Sequence, residues 1–397
     1  MNLSKHSTRT RYHQPGRAGV RTLISSDQRL SDRCRRMLEV ADIRVDGSRP
    51  WDIRVNHRDL YRRVVADGSL GLGESYMDGW WDCPALDQFF TKILRAELDS
   101  KILTWTDTLA TVKATLLNPQ KISRAFQIGE HHYDLGNDLY RLMLDRRMVY
   151  SCGYWSDAET LDQAQEAKLE LICRKLGLRP GMRLLDIGCG WGGMAAYAAE
   201  KYGVSVVGIT VSKEQAALAR KRCTGLPVSI EIKDYRSMTG TFDRIVSIGM
   251  FEHVGQKNYR LFMECQKNLL TDDGLALLHT IGRNKTGKTC DKWISRYIFP
   301  NSMLPSMKQI SSAVEGVFII EDWHNFGPDY DTTLMHWFNN FNSNFKRLKN
   351  DTYNDRFYRM WKYYLLSCAG SFRARRNHVW QLVLSPRGCI GGYIAIR

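Results

Sequence analysis

The sequence predicts an α/β protein: a doubly wound parallel sheet with helices on both faces, preceded by a small, mostly helical domain. Three observations predict it. From about residue 180, short apolar runs alternate with helical stretches, the pattern of parallel strands joined by crossover helices. A glycine-rich turn, Leu185-Asp-Ile-Gly-Cys-Gly-Trp-Gly-Gly193, sits between the first of these strands and the next helix. Ahead of it, residues 26–118 read as mostly helical instead.

The elements follow in order. Residues 1–25 read as a disordered basic arm. Ser26 suits the N-cap of a helix running to about Val40, and a second helix fits 57–67. Between them Ile43, Val45, Ile53 and Val55 predict a hairpin around Asp46-Gly47. Gly68 to Trp81 reads as a loop with large aromatic anchors, and 85–117 as helical. Asn118-Pro119 is a break, so a boundary is expected there, with residues 119–397 as the second domain. In that domain Arg183–Ile187 is a strand, followed by a small-residue helix over 192–202. Val204–Ile209 is the next strand, and Ser212 caps a helix to about Cys223. Further strands are Val228–Ile232, Phe242–Ile248 and Leu275–Ile281, with a helix over 257–270. A helix at 305–313, a strand at 316–321, two longer helices within 331–370 and a strand near 378–385 complete the reading.

With 397 residues, 43% of them hydrophobic, the chain is long enough to bury a sizeable core. Its net charge of +15 is unevenly placed. Residues 1–25 carry five basic side chains and no acid, and residues 341–397 carry eleven against Asp351 and Asp355. That asymmetry points to an anionic partner, either acidic lipid at a membrane surface or nucleic acid; a solvated basic face is the plain alternative. Ten cysteines show no Cys-x-x-Cys pair and no zinc spacing, so reduced thiols in a cytosolic compartment and no metal site are expected. No apolar run approaches the length of a membrane span, and no secretory signal is read. The Arg-rich, acid-free start is open to a transit-peptide reading, although a basic arm is simpler. Any membrane contact is expected to be peripheral, from the cytosolic side.

The glycine-rich turn is the strongest local signal. Glycines let a backbone turn sharply and approach a ligand closely. A phosphate loop needs Gly-Lys-Ser/Thr, which is absent, and the dinucleotide fingerprint is out of register. Asp186 at the end of a strand, followed by Gly188, Cys189, Gly190, Trp191 and Gly192, is the pattern of S-adenosylmethionine (SAM) methyltransferases. There the acid orients the ligand's amino-acid end. The second strand ends without the usual ribose-binding acid; Thr210, Ser212 and Gln215 stand there instead and offer uncharged hydrogen bonds. Asp234 and Tyr235 suit adenine, a carboxylate for the exocyclic amine and a ring for stacking.

Further segments carry a resemblance. They are Gly71-Leu-Gly-Glu-Ser-Tyr-Met-Asp-Gly-Trp-Trp81, His132-Tyr-Asp-Leu-Gly-Asn-Asp138 and Tyr150-Ser-Cys-Gly-Tyr-Trp155. Beyond the SAM loop come Gly249-Met-Phe-Glu-His-Val-Gly255, His279-Thr-Ile-Gly282, Asp322-Trp-His-Asn-Phe326, Tyr330-Asp-Thr-Thr333 and Cys368-Ala-Gly-Ser-Phe-Arg-Ala-Arg375. Together, over about residues 40–385, the chain resembles the cyclopropane-fatty-acyl-phospholipid synthase family. The resemblance implies methyl transfer from SAM to a cis double bond of a phospholipid acyl chain, then proton loss to close a cyclopropane. It implies a bound bicarbonate as base, held by Cys152, Glu252, His279, Tyr330 and the backbone of Ile281. It implies cofactor contacts at Tyr150 and Ser151, a homodimer, and a lipid-docking role for residues 26–118. The C-terminal basic segment would then suit anionic headgroups.

The chemistry fits these residue types. An alkene is a poor nucleophile, so a closely placed sulfonium methyl is needed, and aromatic faces can stabilise the resulting cation. For each aromatic, core packing is the plain alternative. For Glu252 it is an N-cap carboxylate ahead of helix 257–270. His253 is a rival base, set lower because adjacent residues on a turn point apart. Cys368 lies where the family is often given a catalytic cysteine, yet the chemistry needs no thiol step and a buried small hydrophobe explains it equally. Three other functions compete: a methyltransferase that stops at methylation, a nucleic-acid methyltransferase, and an inactive scaffold. No RNA-binding module is visible, so no nucleic-acid partner is expected.

Overall fold

A computed structural model of the chain describes residues 26–101, 136–287 and 289–397. The basic arm and the Asn118-Pro119 break lie outside these residues. The N-terminal segment holds helix α1 (Ser26–Val40), strand β1 (Arg54–Val55), helices α2 (Leu60–Asp67) and α3 (Ser69–Met77), strand β2 (Trp81–Asp82), and helices α4 (Leu86–Arg95) and α5 (Leu98–Lys101).

Two local expectations are corrected here. The hairpin around Asp46-Gly47 reduces to one bridge, Val45 with Ile53. The Asp52 carboxylate holds that loop by accepting from the backbone N–H of Arg44 and Arg49, and β1 pairs instead with β2. The stretch 68–81 is not a loop, because Ser69–Met77 is helical. Its glycines serve close packing rather than turning. A Cβ on Gly71 would lie 2.3 Å from the Arg63 carbonyl, and one on Gly73 would lie 2.3 Å from the Trp293 ring.

Beyond residue 136 come helix α6 (Asn137–Met143) and helix α7 (Leu161–Lys175), whose start is fixed by a capping box between Thr160 and Gln163. Strand β3 (Arg183–Ile187), helix α8 (Gly193–Tyr202), strand β4 (Ser205–Thr210), helix α9 (Lys213–Arg222), strand β5 (Val228–Ile232) and strand β6 (Phe242–Ile248) follow the predicted alternation. Helix α10 (Tyr259–Leu269), strand β7 (Leu270–Arg283), helices α11 (Lys292–Tyr297) and α12 (Met307–Val314), strand β8 (Ile319–Asn325), helices α13 (Pro328–Leu348) and α14 (Asp355–Arg373), and strand β9 (Asn377–Ser385) complete the described chain. The strand expected at 316–321 thus begins three residues later.

The seven-stranded sheet has the order β5-β4-β3-β6-β7-β9-β8. The α/β class holds, but the sheet is not wholly parallel: β9 runs antiparallel to both β7 and β8. The chain passes through two long helices between β8 and β9. One crossover helix returns the chain to begin a parallel strand; a second reversal makes it enter from the opposite end. Strand order reverses beside β3, which has β4 on one side and β6 on the other. Ligands of open α/β sheets bind at such a switch point, beyond the strands' carboxyl ends.

Residues 26–101 share a core with the last two helices. Ile43, Trp81, Phe89 and Phe90 lie in one apolar cluster with Trp337, Phe341, Trp361 and Leu365. Helices α4 and α14 touch almost backbone to backbone at Gly370, where a Cβ would lie 2.6 Å from the Asp87 carbonyl. Arg373 bridges Asp87 on α4 and Asp331 on α13. This pairing also changes the reading of the basic C-terminal segment. Arg356, Arg359, Arg373, Arg376, Arg387 and Arg397 each pair with a carboxylate outside it. Among the described residues, no helix is long and apolar enough to cross a membrane.

Candidate active site

A cavity of about 190 Å³ opens at the switch point, lined by the ends of β3, β4, β5 and β6 and by residues 148–151. Asp186 reaches it from β3. It is 1% exposed, and its Oδ2 has no hydrogen-bond partner among the described residues. Burial raises its carboxyl pKa to about 7, against the pull of the Lys168 ammonium. Gly188 follows with a φ of +84°, and a Cβ there would lie 2.9 Å from Met250. That position needs glycine twice over, for its left-handed backbone and for the close approach. Cys189, Gly190 and Trp191 line the same wall, and Trp191 donates from its ring nitrogen to Asn137 Oδ1 at 2.9 Å.

The expected cofactor residues divide. Tyr150, Ser151, Thr210, Gln215, Asp234 and Tyr235 all line the cavity. Gly192 and Ser212 do not. Gly192 is the left-handed N-cap of α8, packed against Ala219, and Ser212 caps α9 by accepting from Gln215 N. Asp234 is also held by Arg236, whose Nε and Nη2 approach its oxygens to 2.7 and 2.6 Å. The carboxylate assigned to an exocyclic amine is already paired within its own turn. Thr210 donates to Gln215 Oε1 at 3.0 Å, so these two neutral groups orient one another.

A second group of polar side chains is buried around the turn after β6 and along β7. Glu252 sits in the turn after β6, 6% exposed. Its Oε1 accepts from Ile281 N at 2.6 Å, while Oε2 has no partner among the described residues. Burial raises its pKa to about 7. His279 and Ile281, two apart on β7, share one face of the strand. Burial holds the His279 imidazole neutral. Gln381, its register partner on β9, lies 3.3 Å from Nδ1; with that amide donating, the ring proton sits on Nε2. Cys152 is wholly buried and keeps its proton, its thiol donating to the Gly153 carbonyl. Gly153 N and the Trp155 ring nitrogen both donate to Thr333, one turn along α13 from Tyr330. Cys152, Tyr330 and Ile281 belong to one apolar cluster, and Glu252 is bonded to Ile281.

With this geometry in place, known proteins can be compared. Residues 120–382 match the family model of mycolic acid cyclopropane synthetase. The cyclopropane-fatty-acyl-phospholipid synthase of Escherichia coli K12 is 54% identical over 357 residues, 90% of this chain and 93% of that one. The chain belongs to the mycolic acid cyclopropane synthetase family. Cyclopropane mycolic acid synthase 3 of Mycobacterium tuberculosis is 38% identical over 64% of this chain and 94% of its own. A mycolic acid cyclopropane synthase solved with SAH and CTAB superposes with a TM-score of 0.61 at 35% identity, covering 65% of this chain and 97% of that one.

Against the family's expected set, Cys368 stands apart. It lies on α14 near Cys290 and Asp291, and burial pushes its thiol up to about 12. A thiol so protonated is a poor nucleophile. Cys368→Ala is therefore expected to keep kcat within about threefold of the unmodified protein in a methyl-transfer assay. A loss of a hundredfold or more would restore a chemical role. His253, the rival base, does line the cavity, and burial lowers its pKa to about 4.

Sequence reasoning missed Lys168, Gln165, Arg236 and Gln381. Lys168 had a signal: it is a lysine on the apolar face of a helix, in phase with Leu161, Ala164 and Ile172. Gln165 and Gln381 had none, because their partners are set by tertiary contacts, and the pairing of Arg236 with Asp234 turns on rotamers.

Proposed function

We propose that this protein transfers a methylene group from SAM to the cis double bond of an unsaturated phospholipid acyl chain, forming a cyclopropane ring. The observation that carries the reading is adjacency. Ser151 lines the donor cavity, and Cys152, the next residue, belongs to the same apolar cluster as Ile281, whose N–H holds the Glu252 carboxylate. In this reading one short segment, Ser151-Cys152, serves both the methyl donor and the group that takes the proton.

The residues fit both small molecules that the family implies. The unpartnered Asp186 oxygen can accept from a ligand ammonium, the glycines admit a close backbone approach, and the apolar part of the cavity accepts an adenosyl group. Bound there, SAM supplies an electrophilic methyl. The free Glu252 oxygen and the His279 Nε2–H offer an acceptor and a donor for bicarbonate; Tyr330 would join them, with the Cys152 thiol and the Ile281 N–H turning to it from the Gly153 carbonyl and from Glu252. Bicarbonate would supply a base.

The chain's own groups do the rest. Tyr150 packs against Trp337 at 5.0 Å between ring centroids, and Phe299 against Tyr364 at 5.8 Å. These faces can stabilise the carbocation left when the alkene takes the methyl, and they exclude water that would trap it. A C–H bond of the added methyl then breaks, its electron pair closes the ring, and the proton leaves toward the Glu252 carboxylate. Binding to bilayers is peripheral in this proposal, with anionic lipids as the surface and a homodimer as the working form. Vesicle co-sedimentation at low and high salt tests the lipid contact.

The deciding experiment incubates the purified full chain with SAM, bicarbonate and vesicles of an unsaturated phospholipid. Proton NMR of the product lipid is expected to show cyclopropane resonances. Absence of any ring sinks the proposal. A methyl-branched alkene, which has the same mass, would select the rival that stops at methylation.

A further inference from the structure

Helix α7 carries a lysine that the site so far leaves unused. Lys168 is 0% exposed, within a stripe that includes Leu161, Ala164 and Ile172. Its Nζ lies 2.7 Å from Ser151 Oγ. Among the described residues that is its only hydrogen bond, and no carboxylate comes within 4.0 Å of it. Asp145 and Asp186 attract it from further away. Burying an ammonium without a close counter-charge is strongly unfavourable. An apolar side chain would be the stable choice on this face, so the lysine calls for a functional account.

Donor and acceptor rules provide one. An ammonium can only donate. Ser151 Oγ must therefore accept from Lys168, and its own hydrogen is left to donate elsewhere. Gln165, one turn earlier on α7, fixes the same residue's backbone by donating to the Ser151 carbonyl at 2.7 Å. Ser151 is thus gripped twice from one helix, and it lines the donor cavity together with Asp186. The two present opposite demands: Asp186 an unfilled acceptor, Ser151 an available donor. An amino-acid zwitterion satisfies both, its ammonium at Asp186 and its carboxylate at Ser151.

We propose that Lys168 is a positioning residue that holds the Ser151 hydroxyl as an obligate donor and so makes the cavity select a ligand carrying a carboxylate at its amino-acid end. The inference rests on the cofactor assignment made above. At neutral pH the ammonium form persists, since burial lowers its pKa only to about 8.

The test is calorimetric binding to the full chain with two probes. S-adenosylhomocysteine has the amino-acid end, and 5′-methylthioadenosine lacks it. Lys168→Met is expected to weaken S-adenosylhomocysteine at least about tenfold and methylthioadenosine less than about threefold. Lys168→Arg, which still only donates, should recover most of the loss. Removing the buried charge should also raise the melting temperature by roughly 2–4 °C. Adding Ser151→Ala to Lys168→Met should cost nothing further. Equal losses for both probes, unchanged binding, or a lower melting temperature with binding lost in step would each overturn the inference. A protein that binds S-adenosylhomocysteine as expected but never methylates lipid strikes only the proposed reaction. One that binds neither probe strikes both.

Discussion

Glu252→Gln should lower kcat about a thousandfold, within the usual range for loss of a positioned proton acceptor. The change is nearly isosteric. The amide oxygen can still accept from Ile281 N, the bond that now measures 2.6 Å, so the turn after β6 should survive. What is lost is the second oxygen, buried and unpartnered, which can take up a proton at neutral pH where the neighbouring His253 cannot. KM for SAM should move little, because Glu252 does not line the donor cavity. A variant retaining a tenth or more of the activity would remove Glu252 from the chemistry.

The same substitution carries a stability signature. The folded carboxyl titrates at about 7 and the free one at 4.5. Between those values the folded protein holds a proton that the unfolded chain has released. Its stability therefore falls as pH rises from about 4.5 to 7, and is level beyond. The full penalty is at most about 3 kcal/mol. Glutamine has no proton to release, so the variant should gain on the parent protein between pH 5 and pH 8 in denaturant titrations. A stability difference that stays constant across that interval would contradict the buried carboxyl.

Asp186→Asn should weaken S-adenosylhomocysteine binding about a hundredfold, the scale of losing one partner of a buried charge-assisted contact. Only the ionised carboxylate can hold a ligand ammonium. Burial raises its pKa to about 7, so in the parent protein affinity should fall as pH drops through that value. The asparagine variant should bind weakly at every pH and lose the dependence. Isothermal titration between pH 6 and pH 8.5 reads both effects. An unchanged slope would assign the pH response to another group.

The cofactor loop was legible because local geometry decides it. A strand must turn into a helix within a few residues, and only glycine adopts the left-handed backbone at Gly188 while clearing Met250. The glycines at 71 and 73 carry the same letter with another cause. They admit Arg63 and Trp293, partners no local pattern reveals, so a helix read as a loop. The reversal of β9 depends on how α13 and α14 return the chain, which periodicity does not encode. Asp234 was placed correctly at the cavity, but its capture by Arg236 two residues on is a matter of rotamers. Lys168 was visible as an offence against an apolar stripe. Its meaning needed the position of Ser151, seventeen residues away.

The shared core has a consequence for the order in which the molecule is made. Asp87 and Arg373 are 286 residues apart, and α4 rests on α14. At roughly 5–20 residues per second, the ribosome delivers α14 on the order of 15–60 s after α4. Through that interval Phe90 lacks its partner Tyr363 on α14, and a chaperone or another nascent chain can occupy that face. Newly made protein should therefore aggregate most readily when elongation is slow, before the last fifth of the chain has emerged to cover the first.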